Sequence, residues 1–168
     1  MASTPRLLAE RRIHQPSRHF GWRISFADGT ESAVFRETVL DLAPSTPCVL
    51  VVMFRLRWIH GTGHWFFRRE SLLNTPLFAG FPGLVSKLWL AHDRHDRYRG
   101  LYEWDGPQRA ERYARSLWRV LSLVSVSGSI GYRVLPNMRR DRLLDDPACL
   151  NDTERAWWRP IAVRKPDR

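Results

Sequence analysis

The apolar positions change period several times along the chain, and each change predicts an element. Trp22, Ile24 and Phe26 alternate with polar residues, Asp28-Gly29 follows, and residues 30–35 resume a strand-like pattern. That predicts a small β-hairpin with a tight turn. A lone hairpin is marginal in water, so it must pack on something else. Ala43-Pro44-Ser45-Thr46-Pro47 then reads as a linker or turn. Residues 48–58 open with an apolar, β-branched run, the pattern of a buried strand. His60-Gly61-Thr62-Gly63-His64 is a turn. Residues 65–73 place Trp65, Phe66, Leu72 and Leu73 at helical spacing, and Thr75-Pro76 starts a second short helical turn. After a turn at Phe81-Pro82-Gly83, residues 84–92 and 98–104 read as strands joined by the polar turn 93–97.

The strongest periodicity follows Pro107. Ala110, Tyr113, Ala114, Leu117, Trp118, Leu121 and Val124 recur at helical spacing, with Arg109, Arg112, Arg115 and Arg119 on the other face. That predicts an amphipathic helix lying on a sheet. Gly128 stops it, and residues 130–135 form a last strand. The order β-α-β-β-α-β predicts an α+β fold, a ferredoxin-like split βαβ unit over residues 47–138. Residues 1–46 read as an N-terminal extension carrying the hairpin, and 139–168 as a C-terminal tail. In that tail Asn151-Asp152-Thr153-Glu154 caps a short helix bearing Trp157 and Trp158. Adjacent tryptophans are costly to leave in water, so they are expected to dock on the domain or on a second subunit.

Taking 93–97 as the turn, Leu88 faces Tyr102 and Lys87 faces Glu103, and opposed residues share a face. One face then carries Leu88, Leu90, Gly100, Tyr102 and Trp104. The other carries Lys87, Trp89, Leu101 and Glu103, with a cross-strand Lys87–Glu103 ion pair beside a tryptophan. Neither face reads as solvated. This predicts burial of the second face, most cheaply in a symmetric dimer that stacks two sheets.

Composition narrows the class. A chain of 168 residues with 43% hydrophobic positions, 8 Trp, 8 Phe and 4 Tyr buries one core and is not a disordered polymer. The longest apolar run, residues 48–54, falls far short of the roughly 18 needed to span a membrane. Arg6, Arg11 and Arg12 near the start are not followed by an apolar stretch, which predicts no signal peptide. Two cysteines without metal spacing predict reduced thiols and a cytoplasmic protein. The net charge is +10, yet only Lys87 and Lys165 are lysines, and arginine supplies the rest. The positives form no block: +1 over residues 1–46, +7 over 47–138 and +2 over 139–168. Charge therefore argues weakly for a nucleic-acid partner.

The run Phe81-Pro82-Gly83-Leu84-Val85-Ser86-Lys87-Leu88-Trp89-Leu90, the strand Tyr98-Arg99-Gly100-Leu101-Tyr102-Glu103-Trp104 and the helix with Ala110, Tyr113 and Ala114 resemble the YdhR-like monooxygenases of the dimeric α+β barrel superfamily. The resemblance covers about residues 48–138. It implies a homodimer with one pocket per subunit between sheet and helices, acting on a small molecule. In the antibiotic-biosynthesis-type monooxygenases of that superfamily, oxygen reacts with an electron-rich aromatic substrate without metal or flavin, so no cofactor is expected. Such chemistry asks for an apolar cleft and a cation or hydrogen-bond donor that holds the substrate as a phenolate or enolate. On this resemblance Trp89, Tyr102 and Trp104 shape the cavity, with Glu103 beside them. Lys87 and Arg55, or Arg57, polarise the substrate, and His64 is the base at the mouth. The expected reaction is oxygenation of an aromatic or polyketide-like molecule, or a related cyclisation or isomerisation.

Three alternatives remain open. His60-x3-His64 brackets a Gly-rich loop where His64 could be an axial haem ligand, although the helical HExxH arrangement is missing. RNA-recognition modules share the element order, and Arg99-Gly100-Leu101-Tyr102-Glu103-Trp104 echoes their basic-Gly-aromatic strand. Leu101 and Glu103, however, spoil the stacking platform. A non-catalytic ligand-binding or assembly protein would keep the fold without the chemistry. Gly61-Thr62-Gly63 is too short for a dinucleotide fingerprint, and no Walker motif occurs.

Overall fold

The computed structural model describes residues 13–57, 81–150 and 154–167. Among the described residues eight strands form one antiparallel sheet: β1 (Ile13–His14), β2 (Arg23–Phe26), β3 (Glu31–Leu40), β4 (Pro47–Arg55), β5 (Leu84–Leu90), β6 (Arg97–Asp105), β7 (Gly131–Pro136) and β8 (Pro160–Arg164). Helix α1 (Pro107–Val124) joins β6 to β7. Helix α2 (Arg140–Asp145) and a 3-10 turn (Pro147–Leu150) precede β8. The strands lie in the order β7-β4-β6-β5-β3-β2-β8, with β1 also on β3.

The central quartet β7-β4-β6-β5, with α1 between β6 and β7, has the antiparallel strand order of a ferredoxin-like split βαβ unit. The first helix expected over 65–73 lies outside the described residues. The hairpin β2–β3 turns at Asp28-Gly29, where Gly29 takes φ +82 and Asp28 Oδ1 accepts bonds from the Thr30 backbone and hydroxyl. It packs by hydrogen bonding: β3 pairs with β5, setting Glu37 against Leu88 and Thr38 against Lys87, and β8 closes on β2. The Pro-rich linker is pinned to β6, because Asp105 Oδ1 accepts the backbone N–H of Ser45 and Thr46, each at 2.9 Å.

Side-chain parity divides the sheet into two faces. On the inner face Cys48, Leu50 and Val52 of β4 and Tyr102 and Trp104 of β6 pack on Ala110, Tyr113, Ala114, Leu117 and Leu121 of α1. On the outer face Val49, Val51, Leu88, Leu90, Leu101 and Leu135 pack on Leu143, Leu144, Ala156 and Trp158. The outer face, expected to be buried by a second subunit, is thus covered by the chain's own C-terminal segment. Trp157 and Trp158 sit in a turn before β8, and the helix of this segment is α2 instead. Pro107 opens α1 at its first turn, as read from sequence. The helix buries a narrower stripe than its periodicity suggested, leaving Trp118 and Val124 at 41% and 46% exposure.

The outer face also holds two buried ionic clusters. The Arg99 guanidinium, fully shielded, donates to Asp93 Oδ2 at 2.8 Å, Asp28 Oδ2 at 3.0 Å, Thr30 Oγ1 at 2.9 Å and the Trp157 carbonyl at 3.1 Å. Glu37 lies between His19 Nδ1 at 2.8 Å and Arg140 Nη2 at 2.7 Å, joining the N-terminal loop, β3 and α2. Burial by itself would raise the Asp93 carboxyl. Bonds from Arg99 and from the His95 and Arg97 backbone reverse that and hold it below its ordinary 3.8. Asp28 shifts the same way: burial raises it, and Thr30, Arg99 and Arg97 outweigh burial.

Removing one member of a buried ion pair costs about 3–5 kcal/mol, because the partner charge stays buried. Arg99→Met is expected to lose that much in urea unfolding; a loss under about 1 kcal/mol would show that the cluster does not hold the fold. The acid limb follows from the carboxylates. Their folded pKa values lie below the unfolded ones, so their contribution is complete above the ordinary 3.8 and drains as pH falls through the folded values. Thermal melts across pH 2–6 in the Asp93→Asn variant should therefore show a shallower acid dependence than the parent chain.

Candidate functional site

The site begins with an irregularity in the β5–β6 hairpin. Across the turn Asp93 N–H does bond the Arg97 carbonyl at 3.0 Å, and Asp96 takes φ +59. The ladder proper, however, starts at Leu90 against Arg99. Two residues, Ala91 and His92, thus lie on one side where Tyr98 lies alone on the other, the arithmetic of a bulge. Ala91 N–H turns instead to the Ala33 carbonyl of β3. The pairs from Leu90 back to Ser86 are displaced by one: Lys87 faces Tyr102, Leu88 faces Leu101 and Trp89 faces Gly100.

That displacement overturns the expected faces. Lys87 and Trp89 share the inner face with Gly100, Tyr102 and Trp104, whereas Leu88 and Leu90 share the outer face with Leu101 and Glu103. The Lys87–Glu103 ion pair does not form. Glu103 meets Arg139 instead, Oε1 to Nε at 2.5 Å, on the outer face, and its carboxyl is raised because burial outweighs Arg139 and Arg140.

Lys87 is 4% exposed. Its Nζ sits 3.1 Å from the centre of the Trp89 ring and 4.6 Å from that of Tyr102. A second bulge, in β3, supplies what sequence reading missed. Between Val34 and Arg36 the register with β5 shifts, freeing Phe35 from the ladder and placing Arg36 against Trp89. The Arg36 guanidinium lies 5.4 Å from the Trp89 ring and 5.6 Å from Phe35. Thr38 Oγ1 accepts the Trp89 indole N–H at 3.5 Å. The sequence signal for Phe35 and Arg36 is a lapse in alternation: Val34-Phe35-Arg36-Glu37 cannot all obey a two-residue period.

These residues enclose a cavity of about 170 Å³ between the inner face and α1. Lys87, Trp89, Gly100 and Tyr102 form its base; Phe35, Phe54 and Tyr98 its aromatic sides; and Leu117 and Leu121 its roof. Phe54 and Tyr98, paired across β4 and β6, stack at 5.8 Å. The exposed Val120 and Val124 mark the rim. Gly100 admits the Tyr102 ring, since a Cβ there would come within 2.6 Å of Tyr102 Cε2. The size is that of a single aromatic ring: an apolar void of roughly 150 Å³ takes benzene.

Charge is suppressed in this cavity. Burial, with the neighbouring Arg36 cation adding to it, pushes the Lys87 ammonium well below its ordinary 10.5. Burial brings the half-buried Arg36 down to about 10. Burial raises Tyr102, against a hydrogen bond donated by the Tyr113 hydroxyl at 3.4 Å, and it raises Tyr113 as well. An amine that can be neutral therefore sits beside phenols that stay protonated.

The remaining expected site residues lie elsewhere. Arg55 ends β4 against Arg97 and faces a shallow surface depression with Asp28, His95 and Gly128, away from Lys87. Arg57 donates to the Ser125 carbonyl. Trp104 packs under α1, 4.9 Å from the Tyr113 ring, outside the cavity lining. His60 and His64 lie outside the described residues. Among the described residues no cluster of His, Cys, Asp and Glu could hold a metal ion, and no helix is long and apolar enough to cross a membrane. Cys48 and Cys149 are free thiols, and burial, with Asp105 and Glu103 adding, lifts Cys48 to about 11, out of nucleophile range. Tyr102 and Trp104 lie under α1 and the opposite face lies under the C-terminal segment, so the β6 aromatics expected to stack bases are covered.

No family model matches the chain. No curated protein matches it either. Among solved structures it is similar to an uncharacterised ferredoxin-fold protein related to antibiotic biosynthesis monooxygenases from Listeria monocytogenes, with 14% identity, TM-score 0.46 and 66% of each chain covered. It is also similar to a monooxygenase-like protein from Listeria innocua, with 14% identity and TM-score 0.45, covering 66% of this chain and 67% of that one. The chain thus spans about two thirds of the length of either. At that identity the likenesses say nothing of substrate or residues.

A buried lysine whose pKa is depressed is a cost to the fold. The unfolded chain binds the proton more tightly, so stability rises with pH between the folded pKa and the ordinary 10.5. Lys87→Met, which keeps the volume and drops the charge, is expected to be more stable than the parent at neutral pH by about 1 kcal/mol. That advantage should shrink as pH approaches 10.5. A variant less stable at every pH would mean that Lys87 holds the core together.

Proposed function

We propose that the chain is a small-molecule enzyme of the monooxygenase type, with Lys87 as the base that ionises a single-ring phenolic substrate. The observation that supports this reading is the Lys87 amine held on the Trp89 ring inside an aromatic cavity of about 170 Å³. Apolar walls bind a ring, and the neutral amine takes its phenolic proton. The ammonium so formed then pairs with the phenolate, in a setting where Coulomb attraction is several times stronger than in water.

The phenolate is the electron-rich species that oxygen attacks. Addition at the para carbon and loss of water convert one phenol and one O2 into one para-quinone and one H2O. One oxygen atom enters the product, the other leaves as water, and the phenol supplies all four electrons. The proton held by Lys87 returns to the departing hydroxyl. Arg36, charged beside the same tryptophan, stabilises the anion throughout. The cavity favours monocyclic substrates over the fused, polyketide-like ones expected from the resemblance, because several fused rings exceed its volume. Homodimer formation is not required by this reading, since the sheet's outer face is covered within the chain.

Oxygen consumption with a panel of monocyclic phenols and hydroquinones tests the reading, with quinone formation followed by absorbance. Lys87→Met and Lys87→Arg should both lose about 10²–10⁴-fold in turnover, because neither a thioether nor a guanidinium can accept the proton. Full activity in Lys87→Arg would show that the position supplies only charge. No uptake with any single-ring phenol would overturn the reading.

A further inference from the structure

The same amine has a second competence, independent of oxygen. We propose that Lys87 forms an imine with small apolar aldehydes or ketones, its Nζ adding to a carbonyl carbon held between Trp89 and Tyr102. Three observations carry this. The amine is buried at the base of a cavity that fits one ring, with its nitrogen directly over the indole. The group beside it in β3 is a cation, Arg36, which shares the Trp89 ring. A lysine stands where this chain otherwise uses arginine, since 27 basic residues include lysine only at 87 and 165. Arginine would supply charge at least as well. What a lysine adds is an amine that can lose its proton and act as a nucleophile. Desolvation next to a second cation is the environment that activates such an amine, and the lowered Lys87 pKa agrees with it.

The step is a condensation. The nitrogen lone pair forms the C–N bond while the carbonyl π pair moves to oxygen, which takes a proton from nitrogen to give a carbinolamine. The C–O bond then breaks, and the hydroxyl leaves as water with the second amine proton. One amine and one carbonyl compound give one imine and one water, with no oxidant or reductant. Expulsion of water from an apolar cavity favours the product, and the protonated Tyr102 hydroxyl, held in its bond with Tyr113, lines the same wall.

The small number of lysines makes the test clean. The full-length protein is incubated at neutral pH with benzaldehyde and cyanoborohydride, which reduces an imine to a stable secondary amine. Intact mass and peptide mapping then locate the benzyl group. Lys87 is expected to be labelled at least about tenfold faster than the exposed Lys165. In guanidinium the two should label alike. Lys165→Arg should keep the fast label and Lys87→Arg should lose it. Propanal, run in parallel, covers the case in which the ring is too large. Label confined to Lys165 and the N-terminal amine with both aldehydes would overturn the proposal. Labelling of Lys87 without oxygen uptake would overturn only the oxygenase reading, and oxygen uptake without labelling only this one.

Discussion

The Arg99 guanidinium is the contact on which the arrangement turns. It sits on β6, in the middle of the sheet, and its donors reach the hairpin turn at Asp28 and Thr30, the β5–β6 turn at Asp93 and the Trp157 carbonyl of the C-terminal segment. Its plane lies 4.3 Å from the Phe26 ring, so the face of the group is covered as well as its edges. A lysine could not serve, since a point charge with three donors cannot satisfy partners spread around a plane. Three segments distant in sequence are thereby fixed relative to the sheet. The C-terminal segment is then held over Val49, Val51 and Leu101, and the outer face is closed within one chain.

Closing the outer face has a consequence for the inner one. A four-stranded sheet with helices on one side leaves the other side bare and must borrow a cover. Here β3, β2 and β8 widen the sheet and α2 and Trp158 lie across it. Lengthening the sheet past β5 also brings the bulged part of β3, with Phe35 and Arg36, next to Trp89. The same extension that carries the chain's own cover therefore supplies one wall of the cavity, Phe35, with Arg36 beside it on Trp89.

What was legible in the sequence was local. The runs that became β4, β5, β6 and β7, the α1 stripe and the Asp28-Gly29 hairpin each carry their own period and punctuation. The pairing of β3 with β5 and of β8 with β2 does not, because it joins residues tens of positions apart with no shared pattern. The faces of β5 and β6 failed for a sharper reason. The turn was placed correctly at Asp93 and Arg97, but one extra residue at Ala91–His92 shifts the ladder, and a one-residue shift exchanges every side chain between faces. Lys87, Trp89 and Tyr102 were thus named as site residues yet assigned to opposite sides. Arg55 was named for its charge at a strand end, and nothing in spacing could tell that it lies apart from Lys87. Val85 shows the same effect on a smaller scale: the bulge between Leu84 and Ser86 puts Leu84 on the inner face and Leu88 on the outer, against simple alternation.

Arg99 and Lys87 show two ways of burying a cation in one sheet. Arg99 keeps its charge, and the protein supplies two carboxylates and several oxygens to match it, at the cost of desolvating all of them. Lys87 faces two aromatic rings and the Arg36 cation, and its ammonium is penalised by burial and by that neighbour alike. A guanidinium cannot answer such a penalty by losing its proton, whereas an amine can. The outer face therefore uses charge to hold segments together, and the inner face surrounds an amine with an environment hostile to charge, which lowers its affinity for a proton. A fold needing only rigidity would gain by exchanging Lys87 for an apolar side chain of similar volume, and that cost is the ground on which the proposed chemistry of this amine rests.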